Sequence, residues 1–155
     1  MRRALLALGM LWTAPNTLIG VAIGLGGLPF GARATLRPKE LAVVFQDFPW
    51  GPGGAVTLGN AILHTGHDLA TPCRTYAHQA GQCSEAPILL SDHERAHVLQ
   101  AMVLGPLFLP LYLVSGGVHV RNRFERAADR YARMGRGWWP WWRRDDERSP
   151  PLTSR

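Results

Sequence analysis

His93-Glu94-Arg95-Ala96-His97 places two histidines four positions apart with a glutamate directly after the first. On a helix that spacing stacks both imidazoles on one face, so they can reach a single metal ion. Glu94 then stands where it can accept a proton from a water at that metal. Zinc suits such a set, because it takes imidazole nitrogen and keeps a position for water when only three protein groups bind it. The expected cofactor is therefore Zn2+, with His93 and His97 as ligands and Glu94 as catalytic base.

A helix must carry these residues. Apolar Ile88-Leu89-Leu90 precedes them, and no glycine or proline intervenes before Gly105-Pro106, so the pattern predicts a helix over 88–104. A competing reading takes Ser91-x-x-Glu94 as a capping box. The helix would then begin at Asp92, residues 88–90 would be a strand, and Glu94 would be a cap. Gln100 follows His97 by one turn on the same face. It either lines the site behind the ligating imidazoles or satisfies a buried polar contact.

A third ligand is needed, and Glu125-Arg126-Ala127-Ala128-Asp129 lies on a second expected helix over 122–134, with Asn122 as its N-cap. H-E-x-x-H followed by this E-x-x-x-D pattern resembles the gluzincin group of zinc metallopeptidases. The resemblance implies Glu125 as third metal ligand and Asp129 as the acceptor that orients a ligating imidazole. The alternative is a solvated salt-bridge face, since Arg121, Arg123, Arg126 and Arg130 surround both acids. His64-x-x-His67 reads as a pair of loop histidines at a strand end, and His78 and His119 carry no spacing signal.

Upstream, residues 41–48 and 55–64 are rich in β-formers and flank Trp50-Gly51-Pro52-Gly53-Gly54, which predicts a β-hairpin or meander. Residues 65–86 read as a polar loop. The wider pattern of H-E-x-x-H-V-x-Q, then Gly105-Pro106-Leu107-Phe108-Leu109-Pro110, then Asn122-Arg123-Phe124-Glu125-Arg126 resembles a group of small bacterial membrane-associated proteins. Its members have no established activity, and the similarity spans residues 4–132. It implies an apolar N-terminal segment and a short β region ahead of the motif.

Residues 4–32 contain no charged side chain, longer than the about 20 residues a spanning helix needs. Pro15, Asn16 and four glycines loosen the run, so it reads as one kinked spanning helix or a shallow helical hairpin. A cleaved signal peptide fits less well, because Thr13-Ala14-Pro15 puts proline where cleavage would fall. Basic residues flank both ends and leave the orientation open. The net charge of +6 comes almost wholly from arginine. With no nucleic-acid motif present, the expected partner is membrane lipid, in a bacterial inner membrane, together with a peptide or protein substrate. Residues 101–120 are also uncharged, but they must turn back if His97 and Glu125 share a metal. Trp138, Trp139, Trp141 and Trp142 read as a membrane-interface anchor, or else as a plug folded onto the core. Cys73 and Cys83 can form a disulfide in an oxidising compartment, or remain thiols.

The expected architecture is α+β: a membrane segment over 4–32, a zincin-like domain over 38–134, and a Trp/Arg-rich, partly disordered tail over 135–155. The expected function is hydrolysis of peptide bonds by a membrane-associated zinc metallopeptidase. The alternatives are a membrane protein in which zinc is only structural, with His64 or His67 as a fourth ligand, and a metal-free membrane interaction protein.

Overall fold

A computed structural model describes residues 2–51, 53–75, 78, 81 and 86–142. The fold is mixed α and β. Strands β1 (Arg33–Arg37), β2 (Ala42–Gln46), β3 (Ala55–Leu58) and β4 (Ala61–His64) form one sheet in the order β1-β2-β4-β3. Two antiparallel hairpins, β1–β2 and β3–β4, join through parallel β2 and β4. The expected single strand over 55–64 is therefore two strands. Gly59-Asn60 forms a two-residue turn between them, with Gly59 at φ +65°, a value an L side chain resists. All of β4 is buried, which draws it to the centre of the sheet and leaves β3 at the edge.

Alternation along β2 and β4 builds a core on each face. Val44 and Ile62 pack with Val98 and Met102, while Phe45 and Leu63 pack with Ala32 and Phe48. Val98 and Met102 belong to α3 (Leu90–Leu104), so the helix bearing the histidines lies directly on the sheet. On the second face sits α2 (Ala14–Gly27), preceded by α1 (Arg2–Trp12). Glycine lets α2 approach closely: a Cβ on Gly24 would lie 2.3 Å from the Phe45 ring. The uncharged run is thus two helices bent by 68° at Thr13, with α2 packed into the core.

A short 3-10 turn, Gly105–Leu107, follows α3 and leads into α4 (Phe108–Val114). By length and composition the stretch Leu90–Val114 is long and apolar enough to cross a membrane. It is not straight. A straight helix would part His97 from Tyr112 by about 22 Å, yet their ring centroids lie 6.0 Å apart. The chain doubles back at Gly105, whose carbonyl accepts a hydrogen bond from Asn16 Nδ2 at 2.9 Å.

Helix α5 (Arg123–Met134) then returns beside α3. Asn122 caps it, accepting from Phe124 N at 2.9 Å. Ile88–Leu89 (β6) pairs with Pro72–Cys73 (β5), so α3 begins at Leu90 rather than at residue 88. Past α5 the chain folds back, with Trp138 against Ala128 and Tyr131 and Trp141 edge-on to Phe124. Trp138 and one edge of Trp141 therefore pack on the domain, whereas residues 143–155 and Cys83 lie outside the described residues.

Candidate metal centre

His93 and His97 stand one turn apart on the face of α3 that meets α5. Their Nε2 atoms are 3.1 Å apart. Glu125, from the first turn of α5, brings Oε2 to 3.1 Å from His93 Nε2 and 3.5 Å from His97 Nε2. Three ligand atoms on a tetrahedral zinc at about 2.0–2.1 Å would sit about 3.3 Å from one another, close to this triangle. All three residues are buried, and the group can hold a metal ion.

Hydrogen bonds fix which nitrogen carries the proton. Gln100 donates through Nε2 to the carbonyls of Trp138, at 2.8 Å, and Phe124, at 3.3 Å. Its Oε1 must then be the atom facing His97 Nδ1 at 2.9 Å, so His97 donates there. His93 Nδ1 likewise donates to Asp129 Oδ1 at 2.9 Å. In the neutral imidazoles both Nε2 atoms are left as bare lone pairs, aimed with a carboxylate oxygen at one point. With both imidazoles neutral, three acceptors would meet there, and either a metal ion or a proton on one Nε2 satisfies them.

The titration behaviour expresses the same demand. Burial disfavours a charged His93, but hydrogen bonds to Asp129 and Glu125 outweigh it and carry the pKa to about 10. His97 is also raised, against its burial, by the Glu125 charge. Burial works to raise Glu125, yet the two histidines hold it far below the usual carboxylate range. Without a metal, a proton on His93 takes the cation's place.

Glu94 is buried beside the ligands and is no cap. Leu89 occupies the N-cap of α3, without a side-chain cap bond, and Glu94 Oε2 accepts from Thr57 Oγ1 at 2.6 Å. Glu125 and Asp129 face His93 rather than the neighbouring arginines. His64 and His67 stand apart from the group; His67 lies against Asp47 and Arg33 on the surface. Thr57 and Tyr112, which donates to Glu125 Oε1, were not singled out by sequence reasoning. Thr57 carries no sequence signal. Tyr112 does, as the one side chain with a polar group in Phe108–Val114.

Two cavities adjoin the ligands. One of about 90 Å³ is walled by Val56 and Thr57 of β3 and by Phe108, Leu109 and Tyr112. The other, about 420 Å³, runs past Gly53, Cys73, Arg74 and Asp129. Ala55, His93, Glu94 and Val118 line both, so His93 and Glu94 stand at their junction. Burial pushes the Cys73 thiol up to about 11, which makes it a poor nucleophile there. No protein-family model, no curated protein and no solved structure matches the chain.

Proposed function

We propose that this chain is a membrane-associated, zinc-dependent peptidase of zincin-like architecture, resembling the gluzincins in its ligand pattern. The observation that carries the reading is the meeting of His93 Nε2, His97 Nε2 and Glu125 Oε2 within 3.5 Å of one another, each imidazole engaged at its other nitrogen by Asp129 or Gln100. Two imidazoles and one carboxylate are the donor set of hydrolytic zinc sites with an open position. Among the described residues no fourth histidine, cysteine or carboxylate joins the group, as a purely structural zinc would require.

A zinc ion bound there supplies Lewis acidity to a water and to the substrate carbonyl. Glu94, held by Thr57, takes the proton from the attacking water and passes it to the leaving amine nitrogen. Asp129 and Gln100 keep both imidazoles in the ligating tautomer. Substrate is held at β3, an edge strand that lines the smaller cavity through Ala55, Val56 and Thr57 and offers its backbone for strand addition. Membrane seating is supported by large apolar side chains exposed on α1 and α2, among them Leu5, Leu8, Leu11 and Leu18.

Elemental analysis and peptide hydrolysis test the proposal together. Wild-type protein should carry one zinc per chain and cleave members of a quenched-fluorescence peptide library. Glu94→Gln should keep the zinc and lose cleavage, whereas His97→Ala should lose both. Equal metal in wild type and His97→Ala would overturn the site. Zinc without cleavage of any peptide would leave a structural role.

A further inference from the structure

We infer that Tyr112 is a positioning residue of this centre, one that holds Glu125 to ligation through a single oxygen and so keeps the metal four-coordinate, with one position for water. The inference rests on the metal-site reading above and adds a residue that the ligand pattern does not contain. Glu125 turns Oε2 toward both imidazoles, while its Oε1 accepts the phenolic hydrogen of Tyr112. A carboxylate can bind a metal through one oxygen or both. With Oε1 engaged by a hydroxyl, only Oε2 is presented. Two imidazoles and one oxygen then occupy three positions of a four-coordinate zinc, and water takes the fourth.

The packing around Tyr112 shows that the hydroxyl, not the ring, is the unexpected part. The ring stands edge-on to His97, at 6.0 Å and 89°, and packs with Phe108 at 5.9 Å and Phe124 at 6.0 Å. Phenylalanine would satisfy every one of these contacts. The backbone is clamped as well. Asn122 Nδ2 donates to the Tyr112 carbonyl at 3.2 Å and to Gly117 O at 2.7 Å, while Asn122 Oδ1 caps α5. The residue that starts the helix of Glu125 therefore also anchors Tyr112, and the distance between phenol and carboxylate is set by one buried side chain. Helix α4, otherwise apolar, delivers its single hydroxyl to the carboxylate whose denticity decides whether the metal, with its water, would be four- or five-coordinate.

Cobalt(II) substitution reads this directly, because visible absorption is strong for four-coordinate cobalt and weak for five-coordinate cobalt. Wild-type protein loaded with cobalt should show the strong bands. Tyr112→Phe should bind cobalt yet lose severalfold in intensity, as both oxygens of Glu125 reach the metal, with an unchanged far-UV circular dichroism spectrum. A merely structural tyrosine would lower the melting temperature and leave the bands as they were, which would overturn the inference. Failure of the wild type to bind cobalt or zinc would instead overturn the metal site itself. If Tyr112→Phe does not fold, X-ray absorption of the wild-type zinc protein still decides. Four nitrogen or oxygen neighbours support single-oxygen ligation, and five or more refute it.

Discussion

Because the site must hold positive charge, its stability depends on pH in a way that reverses when metal binds. In metal-free protein His93 is charged up to about pH 10, against 6.5 for an ordinary histidine. Its contribution to folding is complete below 6.5 and is lost as pH rises through about 10. Glu125 is shifted the other way, so its contribution is present above the ordinary value of 4.5 and falls away in acid. Chelator-treated protein should therefore have a higher urea midpoint at pH 6 than at pH 9.5, and equal midpoints would contradict a charged His93. Zinc affinity should instead rise with pH, since His93 must give up its proton to bind. A second test is Thr57→Val, which strips Glu94 of its donor within the buried site. We expect a stability loss of about 1–3 kcal/mol by urea unfolding and a fall in cleavage with zinc content unchanged. Normal cleavage would show that Glu94 needs no help from the sheet. His93, Glu94 and His97 were legible because their spacing is itself a geometric statement. Thr57 was not, since its role depends on β3 lying against α3, which no local pattern records.

The helices show how far local pattern reaches. The limits of α5 could be read from Asn122 at its start and the Gly135 that ends it in a left-handed conformation. Strand β1 escaped notice because Arg33–Arg37 is exposed along most of its length and shows no apolar alternation. It forms by pairing with β2, a tertiary fact. The Gly59-Asn60 turn was visible as a Gly-Asn pair between two short apolar runs, yet a single strand was read through it. Composition marked residues 4–32 as apolar without revealing which side faces the sheet. Small residues do this: Gly20 and Gly24 meet Leu58, Ala61 and Phe45. Gly24→Val should therefore destabilise the whole domain by about 1–3 kcal/mol through overpacking, read as a lower melting temperature. A detachable leader would tolerate that change, and an unaltered melting temperature would show that α2 is not part of the core.

For the whole molecule the proposed membrane seating turns on how two apolar runs, 4–32 and 90–114, would meet a lipid bilayer. Leu90–Val114 passes a test of length and composition for a spanning helix. Spanning would separate the two ends of the segment by about 30 Å of hydrocarbon. Yet His97 precedes Gly105 and Glu125 follows α4, with Nε2 and Oε2 3.5 Å apart. Tyr112 returns to the same point, so the segment doubles back at Gly105 and both ends lie on one side. The N-terminal run is likewise bent, by 68°, and its elbow touches this one: Asn16 satisfies the Gly105 carbonyl, and Trp12 covers Gly105. Broken helix is tolerated at membrane depth only where protein satisfies its backbone, and here the N-terminal elbow supplies the partner of the Gly105 carbonyl. The expected arrangement is therefore two apolar elbows dipped into one leaflet, with the metal centre on the side from which they enter. The protein should stay with membranes after an alkaline carbonate wash, and full release of intact protein would count against any insertion. Topology is decided by single cysteines at Asp92→Cys and Arg133→Cys in sealed vesicles, with Cys73 and Cys83 replaced by serine. Both should react with an impermeant maleimide from the same face. Reaction from opposite faces would place α3 and α5 across the bilayer from each other and remove Glu125 from the metal site.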